Sequence, residues 1–431
     1  TGRVLIPTAR AEIEITGPLG KVVRRQINIP AVPVIPARES EIGLEMLSIP
    51  FDFVNSDASN IFGSLSDSVF PGGPVALWRW NPGREEYMTY PDPFVAIVEP
   101  GEGMWLLNQN RETIVLPDDA EQVPEALAFN VPIRRGWNQI GNPFVVPIRF
   151  DRVEVIGPDG TQWSIDEAAN RGLILPVLYA YDAAANEYTW ETSLQAADVV
   201  PFEGYWLLAY RDATLVFPPP NLSTLGTTST AEAADPADGW KFGIEVEAAG
   251  QARAPRYVGA SSEATDQIDV QDIPAPPSML RSGPALDAWF TIGDDAAGPR
   301  YLADTRSADT ARQTWDLTVL SEAPGAPVTL RWPALSESLP NEMVATLQDV
   351  AADRRVYMRT SESYTFNSQT GGPRRFRITV RPRAEATLGL TASTRSIAGA
   401  GLEIAYTLSS DAAVDVEVRN IAGRVVRRIA D

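Results

Sequence analysis

The feature that most restricts how this chain can fold is an internal repeat with a spacing of 101 residues, seen between positions 100 and 201. Residues 100–107 read PGEGMWLL, and residues 201–208 read PFEGYWLL. Three further segments match at the same spacing: 77–81 (LWRWN) with 178–182 (LYAYD), 86–87 (EY) with 187–188 (EY), and 114–117 (IVLP) with 215–218 (LVFP). Matches at one fixed spacing over so many positions indicate a duplicated supersecondary unit. A duplicated, aromatic and turn-rich unit suits a structural or binding protein better than an enzyme.

Alternation of polar and apolar residues predicts an all-β protein. Residues 12–15 (EIEI), 240–246 (WKFGIEV) and 414–418 (VDVEV) alternate at period two, as the two faces of a strand require. Clusters of Pro, Gly, Asn and Asp between such segments predict turns. Helical patterns are confined to residues 118–127 and 165–171. We therefore expect several small β-sandwich or Ig-like units in series, two of them the duplicated aromatic unit.

A chain of 431 residues exceeds what one hydrophobic core usually serves, so we expect several domains. Changes in composition and patterning along the chain suggest six segments. These are an N-terminal arm with a β-hairpin (1–46), aromatic repeat 1 (47–131), aromatic repeat 2 (132–220), a linker (221–239), a β-sandwich domain (240–384) and a partial Ig-like module (385–431).

Composition excludes several classes of function. The chain has no Cys and no His, so disulfides, thiol nucleophiles, Ser-His-Asp triads and histidine zinc sites are impossible. A net charge of −20 argues against nucleic acid, whose phosphates require a basic surface. No apolar run reaches the roughly 18 residues that cross a bilayer, so we expect no membrane insertion. Carboxylate chemistry remains possible, but it has no recognisable pattern here, and we expect a protein that is not an enzyme.

Near the C-terminus, residues 402–408 (LEIAYTL) and 414–427 (VDVEVRNIAGRVVR) form two strand patterns and a tight turn. This stretch resembles the start of Ig-like modules of flagellar hook-capping proteins and of the C-terminal sorting domains of type IX secretion cargo. Residues 240–384 are similar to regions that precede such sorting modules, and the aromatic repeats are similar to modules of large bacterial surface proteins. The resemblance implies a secreted bacterial protein, extracellular or at the cell surface. It implies no activity.

The two ends of the chain are also similar to each other. Residues 12–15 and 20–25 (GKVVRR) match residues 415–418 and 423–428 (GRVVRR) at one spacing. Convergence on a common hairpin pattern is one explanation. The other is that the arm donates strands to the C-terminal module of a neighbouring subunit, because an unpaired Ig-like edge needs a partner. The side chains that would make this interaction are Ile13, Ile15, Val22, Val23, Val416, Val418, Val425 and Val426.

Two aromatic pairs are candidates for glycan binding. Trp78 and Trp80 lie two residues apart and so project from one face of a strand, and Tyr179 and Tyr181 do the same in the second copy. Flat aromatic faces could stack on sugar rings. The alternative is that these rings form the core of two small β units. In addition, Trp105 and Trp206, each followed by Leu-Leu, are expected to be core residues.

A weak calcium candidate lies in residues 266–272, where Asp266, Asp269 and Asp272 recur at three-residue spacing. Carboxylate oxygens on a loop can bind Ca²⁺, although the spacing is not that of an EF-hand. The alternative is a solvated acidic loop. We expect no other cofactor.

Together these features favour a non-enzymatic extracellular structural protein, a subunit of a surface assembly or filament held by β-strand interactions. Its partners would be further copies of itself or other surface proteins. The alternative is a carbohydrate-binding or adhesive surface module that uses the aromatic pairs.

Overall fold

The computed structural model describes sixteen segments of the chain, which form two compact units, Thr1–Ala234 and Asp235–Asp431. The segments are 9–16, 22–29, 34–35, 43–63, 75–110, 113–183, 187–192, 197–220, 239–277, 286–293, 298–323, 325–368, 372–383, 390–397, 401–408 and 414–430. Of residues 9–16, 22–29, 390–397, 401–408 and 429–430 it describes the backbone only. The chain is an all-β protein, as its alternating patterns predict, and the described segments contain four short helices.

The first unit begins with an antiparallel hairpin, β1 (Ala9–Thr16) and β2 (Val22–Ile29). The first repeat follows, and its elements are β3 (Val34–Ile35), β4 (Leu44–Ser48), β5 (Phe51–Asp52), α1 (Ala58–Ile61), β6 (Val75–Asn81), β7 (Glu86–Thr89), α2 (Pro93–Ala96), β8 (Gly103–Asn108), β9 (Ile114–Val115) and β10 (Glu121–Gln122).

The second repeat completes the first unit. Its elements are β11 (Phe129–Ile133), β12 (Gly136–Gly141), β13 (Ile148–Arg149), a 3₁₀ turn (Phe150–Arg152), β14 (Glu154–Ile156), β15 (Gln162–Ser164), α3 (Ile165–Asn170), β16 (Val177–Asp182), β17 (Glu187–Thr192), β18 (Asp198–Val199), β19 (Gly204–Ala209) and β20 (Ala213–Phe217).

The two repeats contain four-stranded antiparallel sheets of the same strand order. The first sheet runs β4-β8-β6-β7, and the second runs β12-β19-β16-β17. The register is also the same, because Trp105 lies opposite Trp78 in the first sheet and Trp206 lies opposite Tyr179 in the second. Equal strand order and equal register at a spacing of 101 residues are what a true duplication requires.

Each repeat has its own hydrophobic core on one face of its sheet. In the first repeat, Leu47, Leu77 and Leu106 pack there with the short helices α1 and α2. In the second, Leu178 and Leu207 pack against a further sheet of order β11-β20-β14-β15. The opposite face of each four-stranded sheet does not pack on the core of its own repeat and is available for another contact.

The second unit is dominated by one large sheet. Its elements are β21 (Trp240–Ala248), β22 (Gln251–Ser261), β23 (Ile273–Pro274), β24 (Leu286–Thr291), β25 (Tyr301–Ser307), β26 (Gln313–Ser321), β27 (Pro327–Arg331), α4 (Leu335–Ser338), β28 (Met343–Asp349), β29 (Arg354–Tyr357), β30 (Ser363–Asn367) and β31 (Arg374–Pro382). The hydrogen-bonded order is β29-β28-β31-β26-β24-β25-β22-β21-β27-β30, and β23 pairs with β25.

This sheet curls over one core until strands from its two ends face each other. The ring of Phe376 on β31 lies 6.1 Å from that of Tyr364 and 5.0 Å from that of Phe366, both on β30. Trp315 and Trp332 are buried in the same core. The curl lets a single sheet bury its apolar face without a second sheet, which accounts for the sandwich-like domain expected from the sequence.

Arginine side chains fill a gap inside this sheet. The strands β24 and β25 share one residue pair, Phe290 with Tyr301, and then diverge. Beyond that pair, Arg256 Nε of β22 donates to the carbonyl of Ala288 at 2.6 Å, and Arg253 Nε donates to that of Leu286 at 2.7 Å. These buried carbonyls of β24 therefore gain hydrogen bonds from side chains of β22, as buried backbone groups require.

The second unit ends in two separate hairpins, β32 (Leu390–Ile397) with β33 (Gly401–Leu408), and β34 (Asp415–Arg419) with β35 (Val425–Ala430). The tight turn expected in residues 420–423 is present. There the N–H of Gly423 donates to the carbonyl of Asn420 at 2.8 Å, and the φ of Gly423 is +79°, a value that favours glycine. The described residues of segment 385–431 thus form four strands in two hairpins.

Several sequence-based boundaries need correction. The strand β4 begins at Leu44 and β11 begins at Phe129, so the predicted boundaries at 46/47 and 131/132 fall inside strands. The helix expected in residues 165–171 is α3, but residues 118–127 contain turns and the strand β10 instead. Glu121 and Gln122 pair with strand β5, so these residues are extended and not helical. The predicted linker lies outside the described residues except for Gly239.

Candidate functional site

The two aromatic repeats meet through the sheet faces that point away from their cores. Trp105 of the first repeat packs edge-on against Tyr181 and Tyr188 of the second, with ring centroids 4.7 and 6.3 Å apart. Trp206 of the second packs against Trp80 and Tyr87 of the first, at 6.1 and 6.4 Å. These contacts are reciprocal, because each residue of one set lies 101 positions from its counterpart in the other. The interface therefore has approximate two-fold symmetry.

Gly103 and Gly204, which occupy equivalent positions in the two repeats, allow the two sheets to approach closely. A Cβ atom added at Gly103 would lie 2.7 Å from the carbonyl oxygen of Ile140 on β12. One added at Gly204 would lie 3.0 Å from backbone atoms of Leu47 on β4. Backbone cannot give way as a flexible side chain can, so a side chain at Gly103 would clash with β12, and one at Gly204 would crowd the backbone of β4.

A buried polar contact also links the repeats, and the sequence did not reveal it. The Oε1 atom of Gln139 on β12 accepts a hydrogen bond of 2.7 Å from the backbone N–H of Trp80 on β6. Gln139 is buried, and the equivalent position in the first repeat is Met46, since these residues lie opposite Trp206 and Trp105 respectively. The only indication in the sequence was that Gln139 is polar, whereas its counterpart Met46 is apolar.

The four glycan candidates lie at or beside this interface. Tyr179 is fully buried, so its ring offers no face to a sugar. Trp80 and Tyr181 are half-buried, and their rings pack on Trp206 and Trp105. Trp78 is also half-buried. Trp105 and Trp206 are both fully buried, which confirms their assignment as core residues.

The three aspartates of the calcium candidate bind backbone and hydroxyl groups instead of converging on one point. Asp266 accepts from the Ser307 N–H and the Thr310 hydroxyl. Asp269 accepts from two N–H groups of its own loop. Asp272 accepts from the N–H groups of Asp269 and Thr305, each at 3.0 Å. Among the described residues no group of three acidic side chains is placed to hold a metal ion. The contacts seen here are those of a loop held by hydrogen bonds to its carboxylates.

Asp272 belongs to a buried acidic pair with Asp304. Both are almost fully buried, and Arg306 makes two hydrogen bonds to Asp304, of 3.1 and 3.0 Å. Burial, reinforced by the charge of Asp304, raises the pKa of Asp272 to about 7 despite its two backbone donors. Burial likewise raises the pKa of Asp304, although Arg306 opposes the shift.

This pair predicts a pH-dependent stability. Because the folded-state pKa of Asp272 exceeds its ordinary value of 3.8, the folded state holds the extra proton between those two values. The free energy of unfolding should therefore fall as pH rises from about 4 to about 7, by on the order of 3 kcal/mol from this group. Asp272→Asn should flatten that slope in urea titrations, whereas Asp309→Asn, an exposed neighbour, should leave it unchanged. An unaltered slope in Asp272→Asn would contradict the assignment.

The interaction residues expected at the two ends lie on separate hairpins. Ile13 and Ile15 are on β1, and Val22 and Val23 are on β2, where only the backbone is described. The other four, Val416, Val418, Val425 and Val426, lie on β34 and β35. Of these, Val426 is 61% exposed, and Val418 and Val425 are also exposed.

Sequence reasoning missed a cavity of about 260 Å³ in the second unit. It lies at one end of the curled sheet, between β26, β30, β31 and the turn after β28. Its walls are largely apolar, with Val319, Val350 and Phe366 among them, and the guanidinium of Arg374 lies 4.9 Å from the Phe366 ring. Arg374 is paired with the buried carboxylate of Asp349. Residues from four separate segments of the chain line this cavity, so no local sequence motif could have predicted it.

Comparison with known proteins finds no matching family model, no matching curated protein and no matching solved structure. No helix among the described residues is long and apolar enough to span a membrane.

Proposed function

We propose that this protein is a non-enzymatic extracellular structural protein, a subunit of a surface assembly that is held together by β-strand interactions. The duplicated β architecture supports a structural role, because the aromatic rings singled out by the repeat serve mainly to join two sheets. The extracellular location is supported by the C-terminal resemblance to secreted modules. The absence of Cys and His from the whole chain supports a role without catalysis.

The observation that carries the proposal is the pair of small terminal sheets. The hairpins β1–β2 and β34–β35 each form a two-stranded sheet of their own in the described chain. A two-stranded sheet is marginally stable in water, and an unpaired strand edge is a template for another chain. In β34–β35, valines are exposed on a strand pattern that normally packs on a core. Such hairpins gain stability when they add to the sheet of a neighbouring subunit.

Deleting residues 1–30 is expected to abolish assembly while leaving both repeats folded. The arm supplies strands to a neighbour, whereas the first strand of the repeats begins at Val34. Electron microscopy and sedimentation velocity should show ordered polymers for the full chain and dispersed monomers for the deletion variant. Circular dichroism should show the same β signal per residue in the rest of the chain.

A matched control keeps the composition and charge of the arm but reorders residues 9–29 so that no period-two alternation remains. This variant should behave like the deletion, because strand pairing needs the alternation and not merely the charge. Normal assembly of the deletion variant would show that the arm donates no strand.

A further inference from the structure

The large sheet of the second unit ends in two edge strands of different character. The edge β29 carries Arg354 and Arg355, and charged residues commonly prevent an edge from pairing with another chain. The other edge, β30, has the sequence Ser-Tyr-Thr-Phe-Asn, with no charge and no proline. It pairs with β27 on one side, and no strand of the described chain pairs with its other side. β30 is therefore an edge without the usual protection.

The ladder between β27 and β30 shows which backbone groups face outward. Beyond its two ends, Trp332 N–H donates to the carbonyl of Glu362, and Ser368 N–H donates to that of Ala326. Hydrogen-bonded and non-hydrogen-bonded pairs alternate along an antiparallel ladder. The N–H and C=O groups of Ser363, Thr365 and Asn367 therefore point away from β27, towards the free edge. All three residues are exposed.

The cavity described above lies beside this edge. Phe366 of β30 forms one wall, and Val350, Ala351 and Arg374 on the facing part of the curled sheet form others. A strand added to β30 would continue its alternation, with every second side chain turned to the inner face where Tyr364 and Phe366 lie. One such side chain would enter the cavity, whose volume accommodates a branched aliphatic residue. Backbone pairing and a side-chain pocket together define a strand-addition site.

Charge and patterning identify the occupant. Near the free edge, Arg354 lies 5.5 Å above the Tyr364 ring, and Arg375 lines the cavity; both are exposed, and neither forms an ion pair within the described residues. An acidic strand with alternating apolar residues is complementary to such an edge. The strand β1 reads Ala-Arg-Ala-Glu-Ile-Glu-Ile-Thr and has this pattern. Its hairpin partner β2 contains two arginines and no acidic residue, which makes β2 the poorer match.

We infer that β30 is the acceptor edge for strand β1 of a second copy of this chain, with Ile13 or Ile15 seated in the adjacent cavity. This inference rests on the proposed self-assembly and names its acceptor. Because the donor and acceptor surfaces differ, the contact is heterologous and propagates from one subunit to the next unless the rotation closes a ring.

The sharpest test is Thr365→Pro, with Thr365→Ala as its matched control. Proline removes the outward N–H of residue 365 and leaves the backbone hydrogen bonds to β27 intact, because that N–H points to the free edge. It also removes the Thr365 hydroxyl, which bonds the Thr329 hydroxyl on β27. Alanine keeps the N–H and removes the same hydroxyl. Light scattering over a concentration series measures the concentration at half-assembly. Thr365→Pro should raise it at least about tenfold, which corresponds to about 1.4 kcal/mol, whereas Thr365→Ala should match the wild type.

A second variant, Ala351→Trp, keeps the proposal testable if Thr365→Pro does not fold. Ala351→Trp fills the cavity from its exposed rim, and it should also raise the half-assembly concentration without lowering the melting temperature. If Ala351→Trp, and a folded Thr365→Pro, assemble as the wild type does, then β30 is not the acceptor, although the chain still self-assembles. A wild-type chain that stays monomeric at every concentration would refute both the acceptor and the proposed function.

The donor can be checked independently because the chain contains no cysteine. A Glu14→Cys or Glu12→Cys chain mixed with a Thr365→Cys chain should form a disulfide-linked dimer on mild oxidation. The same donors mixed with Thr329→Cys, one strand further in, should not. Equal cross-linking to both positions would overturn the assignment of β1 to the β30 edge.

Discussion

Trp105→Ala and Trp206→Ala are each expected to lower the free energy of unfolding by about 3–5 kcal/mol, the usual cost of removing a buried Trp. Each indole is fully buried and packs on two rings of the other repeat. The cavity left by either change would lie in the interface, where two backbones already approach at Gly103 and Gly204 and limit collapse. Denaturant titration monitored by circular dichroism measures the loss.

The matched control for these two variants is Trp78→Ala. Trp78 lies on the same face of the first sheet, opposite Trp105, but its side chain is only half-buried. Its removal should cost clearly less than either interface tryptophan. If all three variants lost the same stability, or if Trp105→Ala lost less than about 1 kcal/mol, the repeats would not depend on reciprocal aromatic packing.

Asp349→Ala is expected to cost about 3–5 kcal/mol, because it leaves the Arg374 guanidinium without its buried partner. Asp349 is 1% exposed, and it accepts from Arg374 Nε at 3.0 Å and from the Tyr364 hydroxyl at 2.8 Å. The double variant Asp349→Leu/Arg374→Met should recover much of the loss, since it removes both charges together. A single variant as stable as the wild type would contradict this account.

The ion pair of Asp349 and Arg374 also predicts that the free energy of unfolding decreases at acidic pH. Burial raises the pKa of Asp349, but hydrogen bonds from Arg374 and Tyr364 outweigh it, and the net pKa lies below its ordinary value of 3.8. The stabilisation is therefore fully present above that value and is lost as pH falls through the folded-state pKa. Its sign is opposite to that of Asp272. The two aspartates should thus be separable in urea titrations at different pH values. Asp349→Ala lowers the stability at every pH but changes its slope against pH only in the acidic range.

The sequence by itself determined what depends on local periodicity and on the repeat. Alternation at period two identified strands throughout the chain, and the spacing of 101 residues related two sheets that have the same strand order. The sequence also assigned Trp105 and Trp206 to the core and placed a turn before Gly423, which has a positive φ. These properties are readable because strand faces and tight turns depend on residues adjacent in the chain.

Only the tertiary structure decided which residues meet across long distances in the sequence. The spacing showed that Trp80 corresponds to Tyr181, but not that each would contact the tryptophan of the other repeat. The run of aspartates suggested metal ligands, whereas Asp272 binds the backbone of Thr305 and lies near Asp304. The pairing of Asp349 with Arg374 and the free edge of β30 depend on how the large sheet curls. Such contacts are set by strand order and curvature, which bring together residues that no local pattern relates.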